Sequence, residues 1–336
     1  MTRRVSIKDI AEAAGVSHST VSRALRGAGR MSDETRRRIL ELAKEMGYTP
    51  DAQARSLVKG RTNTVGVVVT TIADPFVVDV VDGIEDVAQG AGYSVFLSSS
   101  HMDPQREMGV VETFRQRRVD AVIVTSSRVG SLYAADLEQF GAPIVLINNQ
   151  QAGRYLYSVS ADEVDGARIA TEHLLALGHR RIGYIGSSFR PVSSKRRQQG
   201  YREALEARGV ALDSAMEALP AVQSDLDAGR RGLEMLWSQR PTAILTYNDM
   251  TALGVLQKAR QLSIAIPQHL SLMGFDNIEV TQFVTPTLST VHQPRKTMGR
   301  AAMEMALKLL HDEQVEQTNI LFSCRLVVRE STASLA

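Results

Sequence analysis

Between positions 17 and 23 the chain places Ser17, His18, Ser19, Thr20, Ser22 and Arg23 close together with no carboxylate among them. These types can meet base-pair edges, because serine, threonine and histidine donate or accept single hydrogen bonds and arginine can donate two to guanine N7 and O6. A second group is spread over positions 74–276. Asp74, Phe76, Thr125, Asn148, Asn248, Asp249 and Asp276 follow short apolar runs, and Ser193 and Arg197 open a helical stretch after another. Carboxylates, amides, hydroxyls, one arginine and an aromatic ring suit a compact ligand rich in hydroxyl groups, and a sugar or sugar derivative fits best.

The first group needs a helix that turns it outward. Ser6 with Asp9 three residues on marks a helix start, Ile7, Ile10, Ala11 and Ala14 share one face, and Gly15 ends the run. Ser17 caps a second helix, with Val16 and Val21 spaced as a hydrophobic staple; Val21, Ala24 and Leu25 point inward and leave the polar set outside. A third helix opens at Ser32, buries Ile39, Leu42, Ala43 and Met46, and stops at Gly47. Two helices joined by a tight glycine turn have the geometry that lays the second in a major groove, so residues 1–47 are expected to be a small all-α helix-turn-helix DNA-binding head. Residues 48–63 read as a hinge or linker. Their helix-compatible part, 51–60, is too short to be stable alone.

The second group needs a scaffold that converges scattered loop residues. From residue 64 short β-branched runs at 65–69, 93–97, 121–124, 144–147, 182–185, 243–246 and 270–273 read as buried parallel strands. Helical patterns at 76–89, 105–117, 165–177, 195–208 and 249–260 alternate with them, which predicts a doubly wound α/β body over 64–336. Ligands of such sheets bind beyond the carboxyl ends of the strands, where the polar group above falls. Asp249 also suits the N-cap of its helix. No Gly-x-Gly-x-x-Gly follows the first strand and no Gly-Lys-Ser/Thr loop occurs, so no nucleotide cofactor is expected. Asp74 or Asp249 with His101 could serve acid/base chemistry, but no nucleophile elbow or metal-ligand spacing accompanies them, and the chain is not expected to be an enzyme.

Charge divides along the same line. Residues 1–61 hold 13 Lys and Arg against 7 Asp and Glu, a net of +6, while the remainder holds 26 against 30, a net of −4. A basic module on an acidic body fits a nucleic-acid reader, because cationic side chains displace the counterions condensed on phosphates. A transport-type sugar-binding protein would share the body but has no use for such a head. No apolar stretch approaches the roughly 18 residues of a membrane span. Arg3 and Arg4 lead into Ser6, Lys8, Asp9 and Glu12 rather than an apolar segment, so a cytoplasmic location without membrane partners is expected. The single cysteine, Cys324, reads as a packed thiol.

The sequences Ile7-Lys8-Asp9-Ile10-Ala11, Ala14-Gly15-Val16-Ser17-His18-Ser19-Thr20-Val21-Ser22-Arg23-Ala24-Leu25 and Glu45-Met46-Gly47-Tyr48-Thr49-Pro50 resemble the head of the lactose-repressor family of bacterial transcription regulators. The likeness continues through His173-Leu174-Leu175-Ala176-Leu177-Gly178-His179-Arg180-Arg181-Ile182, Asn248-Asp249-Met250-Thr251-Ala252-Leu253-Gly254, Gly274-Phe275-Asp276 and Pro286-Thr287-Leu288-Ser289. It implies a repressor whose affinity for a double-stranded, inverted-repeat operator is set by a small effector, with His18 and Ser19 choosing the operator and Arg23 touching a base. It further implies DNA contacts from Ser6 and from hinge residues Ala54 and Leu57, the leucine wedging into the minor groove. Effector residues of the family fall on Arg197, Asn248 and Asp276, with Asn148 where aspartate is frequent and Ser224 where relatives often carry an aromatic ring. The implied body is periplasmic-binding-protein-like (type I), with a first lobe near 64–161 and 291–320 and a second near 162–290 and 321–336. A homodimer is implied as well, and Phe76, Val77, Val80, Val81 and Ile84 carry more apolar surface than one buried helix face requires.

Overall fold

The structure is a computed structural model, and it describes residues 5–25, 27, 29–48, 61–129, 141–149 and 157–335. It separates into two compact units, residues 1–62 and 63–336. In the first, α1 (Ile7–Ala14) opens on a reciprocal cap: Ser6 Oγ accepts from Asp9 N at 3.4 Å, and Asp9 Oδ2 accepts from Ser6 N at 2.7 Å. Gly15, at φ 66°, takes the left-handed conformation that ends the helix. Ser17 Oγ accepts from Thr20 N at 3.2 Å at the start of α2 (His18–Leu25), and Ser32 caps α3 (Asp33–Glu45) in the same way. Ile10, Val21 and Ile39 meet in a fully buried centre bordered by Ala11, Ala14, Ala24 and Ala43. Each of the three large side chains contributes about 1.5–3 kcal/mol by leaving water.

The second unit alternates strands and helices. Its first sheet takes β1 (Thr64–Val69), β2 (Ser94–Ser99), β3 (Ala121–Thr125), β4 (Ile144–Ile147) and β5 (Ser158–Ala161), linked in part by α4 (Pro75–Gly90) and α5 (Pro104–Gln116). After α6 (Glu163–Ala176) comes a second sheet of β6 (Ile182–Ile185), β7 (Glu217–Ala218), β8 (Ala243–Thr246) and β9 (Ser271–Met273), with α7 (Pro191–Ala207), α8 (Asp225–Trp237) and α9 (Asp249–Gln261). The chain then adds β10 (Thr290–His292), α10 (Arg295–Leu310), β11 (Asn319–Phe322) and β12 (Arg325–Val327). The strand orders are β11-β5-β4-β3-β1-β2 and β7-β6-β8-β9, and every pairing in both sheets is parallel. β10 and β12 form an antiparallel pair beside the second sheet, with isolated bridges Met273 to Ser289 and Asp276 to His292.

Two lobes follow, and the chain passes between them three times: after Ala161, after His292 and after Phe322. β11 reaches Phe322 on the first sheet, so the last passage comes two residues later than 320, and β10, with Val291 and His292, pairs in the second lobe. α10 returns to the first lobe, where Met298, Ala302 and Met303 pack with Val65, Val80 and Ile84. Gly83 on α4 and Gly299 on α10 allow that approach. A Cβ at either would overlap the carbonyl of Lys296 or of Val80.

Two readings of apolar surface need correction. The strand near 93–97 is not buried on both faces: it is the edge of the first sheet, with Phe96 44% and Leu97 43% exposed. Phe76, Val77, Val80 and Ile84, with Val81 partly buried against them, lie in the core of their own lobe instead of offering surplus surface to a second copy, because α4 is covered on one side by the sheet and on another by α10. Among the described residues, the exposed large apolar groups in that lobe are Ile72, Val78, Phe96, Leu97 and Leu321.

Candidate functional site

In the head, the capped start of α2 turns Ser17, His18, Ser19 and Arg23 to solvent, with Thr20 and Ser22 partly covered. Arg23 Nε donates to Ser19 O at 3.4 Å, and among the described residues no carboxylate pairs with its guanidinium. Val21 and Ala24 on the opposite face are buried, which locks the rotation of the helix. Ser6 is engaged with Asp9 as the cap of α1. Ala54 and Leu57 lie outside the described residues.

In the body, the carboxyl ends of the strands converge where the two lobes meet. Asp74 caps α4 through Phe76 N at 3.0 Å, and its other oxygen accepts from Arg190 Nη2 at 2.5 Å, joining the first lobe to the second. Pro191 fixes the start of α7, and Arg190 stands at its cap position. Three residues on, Ser193 is buried in the first turn, and Arg197 follows one turn later. Arg197 Nη2 donates to Glu163 Oε1 at 2.8 Å, Nη1 donates to Tyr247 O at 2.5 Å and lies 3.6 Å from Asp276 Oδ1, while the guanidinium carbon sits 4.4 Å and 3.9 Å from the centres of the Tyr247 and Phe275 rings. Burial opposes this charge, yet Tyr247, Glu163 and Asp276 outweigh it and hold the Arg197 pKa above its ordinary value.

Asp276 Oδ1 accepts from Gln293 Nε2 at 2.6 Å, and Arg295 donates to its main-chain oxygen and to Asp79. Asn248, not Asp249, is the cap of α9. It accepts from Thr251 N at 2.9 Å and donates to Asp225 Oδ2 at 3.0 Å. Asp249, the next residue, is fully buried and accepts from Thr290 Oγ1 at 2.6 Å and Ile278 N at 2.9 Å. Burial and mutual repulsion with Asp276 push the Asp249 carboxyl up to about 8, while burial raises Asp276 to about 6 against the pull of Arg197 and Arg295. Burial also raises Asp225, offset in part by Arg190.

Thr125 and Asn148 end β3 and β4; Thr125 Oγ1 donates to Val68 O at 3.4 Å and Asn148 Oδ1 accepts from Ala161 N at 3.2 Å. Phe76, expected to offer a ring face to a ligand, packs into the core of the first lobe. The structure thus brings Asp74, Arg197, Asn248 and Asp276 into one polar network. It adds Arg190, Glu163, Asp225, Gln293 and Arg295, which sequence reasoning passed over. A cavity of about 230 Å³ spans the lobes between Asp74, Met102, Phe189, Arg190, Gln223 and Asp225.

Among the described residues of the body, six buried side-chain atoms find no hydrogen-bond partner: Thr70 Oγ1, Glu163 Oε2, Ser187 Oγ, Arg190 Nε, Asp225 Oδ1 and Gln293 Oε1. All six lie at the carboxyl ends of strands or at the helix starts that follow them. Each unsatisfied group costs about 1–3 kcal/mol; Arg190 Nε and Asp225 Oδ1 belong to residues that line the interlobe cavity, whereas Glu163 Oε2 has Arg196 Nη1 at 3.7 Å. Among the described residues no cluster of ligating side chains could hold a metal, and no helix is long and apolar enough to cross a membrane.

Comparison with known proteins bears on both regions. The profile described as bacterial regulatory proteins, lacI family, matches residues 6–51, and that of a periplasmic binding protein-like domain matches residues 171–332. The HTH-type transcriptional regulator DegA of Bacillus subtilis (strain 168) is 33% identical over 336 residues, covering 99% of both chains. The lac repressor dimer bound to operator and the anti-inducer ONPF superposes with a TM-score of 0.87 at 26% identity, over 98% of this chain and 100% of that one. The transcriptional regulator CelR in its cellobiose complex superposes with a TM-score of 0.73 at 27% identity, over 98% and 100%.

Proposed function

The chain belongs to the lacI family of bacterial regulatory proteins, and we propose that it is a transcriptional repressor whose hold on an inverted-repeat operator is set by a small hydroxyl-rich effector seated between the two lobes. The observation that carries the effector half is the pair of buried atoms without hydrogen-bond partners, Arg190 Nε and Asp225 Oδ1, on residues lining one interlobe cavity beside the network of Asp74, Arg197, Asn248 and Asp276. A sugar effector parallels the cellobiose of the CelR complex. Ser193, Thr125, Asn148 and Asp249 complete the set of polar groups assigned to the effector.

The DNA half rests on the outward face of α2. His18 and Ser19 meet base edges, Arg23 reaches a guanine, and Ser17, Thr20, Ser22 and Ser6 hold the phosphate backbone. Ala54 and Leu57 of the hinge extend contact into the minor groove. The protein works as a homodimer, as the lac repressor does on its operator, and the exposed Ile72, Val78, Phe96 and Leu97 supply apolar surface for it. Its place of work is the cytoplasm, where a bacterial operator is found.

Effector binding alters the angle between lobes and hence the spacing of the two heads. A coupling of about 1–3 kcal/mol changes operator affinity roughly 5- to 150-fold. Selection from random duplexes should enrich a palindrome, and a sugar panel added to the selected complex should contain a member that shifts its affinity within that range. Recovery of no palindrome overturns the DNA half. An affinity for the recovered operator that no sugar alters overturns the effector half.

A further inference from the structure

We propose that the effector is uncharged, and that Asp74 and Asp225 exclude the phosphorylated or carboxylated counterparts of the ligand that fits. This rests on the reading of the cleft as an effector site. The arginines of the cleft are already committed to carboxylates of the chain itself: Arg190 to Asp74 at 2.5 Å, Arg197 to Glu163 at 2.8 Å, and Arg295 to Asp79 at 2.5 Å. Asp225 stands beyond those three pairs, and among its described lining residues the interlobe cavity carries two carboxylates, Asp74 and Asp225, against one guanidinium, that of Arg190. An anionic ligand would therefore enter a region where carboxylates outnumber guanidiniums, in a water-poor setting that strengthens the repulsion.

The other resource for holding an anion, the free N–H groups at a helix start, is reduced as well. Proline at the first position of α4 and α7 removes one donor from each. The Asp74 carboxylate takes the Phe76 N–H of α4, Ser224 takes the Asp227 N–H of α8, and Asn248 takes the Thr251 N–H of α9. Among the described residues no lysine lines the interlobe cavity. What the lining does offer is mixed and neutral-seeking. Asp225 Oδ1 and Arg190 Nε are buried without hydrogen-bond partners, an acceptor and a donor on one cavity wall. A hydroxyl group both gives and takes a hydrogen bond, so adjacent hydroxyls can answer both atoms without adding charge.

The test uses the full chain and matched probes in titration calorimetry: ribose against ribose 5-phosphate, glucose against glucose 6-phosphate and glucuronate, cellobiose against its phosphorylated form, and cytidine against its 5′-monophosphate. The expected result is that at least one neutral member binds and its charged counterpart binds at least tenfold more weakly. Asp225→Asn, which keeps the shape and removes the charge, should narrow that ratio several-fold, and unchanged unfolding of the variant shows that the effect is local. A charged member that equals or exceeds its neutral counterpart overturns the proposal while leaving the cleft as an effector site. Binding by no member of either kind overturns the proposal together with the sugar reading, and the operator measurement then stands by itself.

Discussion

The head and the cleft treat arginine in opposite ways. In the head, Arg23 stands on an exposed helix face with only the Ser19 carbonyl as a hydrogen-bond partner among the described residues, and Arg37 faces Glu41 at a loose 3.9 Å in solvent. In the cleft, Arg190, Arg197 and Arg295 are nearly sealed from water and each is held by a carboxylate. An exposed guanidinium retains its charge for a partner yet to arrive, whereas a buried one is neutralised in advance and serves as a rigid fork. The lesson is that a count of basic residues says little about partners until burial is known.

That contrast can be broken first at Arg197. Arg197→Ala removes the close partner of buried Glu163, which keeps only Arg196 at 3.7 Å, and should lower the stability of the body by about 3–5 kcal/mol, read as the urea midpoint of its unfolding transition. A loss below about 1 kcal/mol would mean that Glu163 is tolerated uncharged. A second test exploits pH. Folded Asp249 keeps its proton up to about pH 8, against 3.8 for the ordinary carboxyl. Between these values the folded chain binds the extra proton, so stability falls as pH rises, by at most about 1.4 kcal/mol per unit, and levels off above. Asp249→Asn should flatten this decline between pH 5 and 8; an unaltered slope would assign it to other groups.

In the head the expected effects are smaller. Arg23→Ala should cost about 1–3 kcal/mol of discrimination at one base position per half-site, measured by competition between operator variants, with ligand affinity of the body unchanged. An equal loss on all sequences would make Arg23 a phosphate contact. Ser6→Ala removes half of the reciprocal cap on α1 and should destabilise the head by about 1 kcal/mol, seen in its thermal transition.

The head was legible almost residue by residue, because its cues are local: Ser6 with Asp9, Gly15, Ser17 and Ser32 each act within three or four positions. In the body, the strands β1, β3, β4, β6, β8 and β9 announced themselves as short apolar runs, since both faces are covered. β5 and β11 did not. Ser158-Val159-Ser160-Ala161 alternates like a half-exposed strand, and Asn319–Phe322 finds its partner only through a contact far away in sequence. The cleft was half legible. Asp74, Arg197, Asn248 and Asp276 could be placed because each follows an apolar run or opens a helix. Arg190 and Asp225 were missed although Pro191 and Ser224 mark the helix starts beside them. Their role depends on which lobe they face, and no local pattern carries that. Phe76 was misread because the helix covering it, α10, arrives more than 200 positions later.

The return of β11 to the first sheet has a consequence for how the molecule is made. Asn319 pairs beside Ser158, 161 positions upstream. At ribosomal speeds of about 5–20 residues per second, that strand emerges roughly 10–30 s after the one it must join. Through that interval the three helices of the first unit, whose contacts are all local, can already be complete while the first sheet of the body still waits for its last strand.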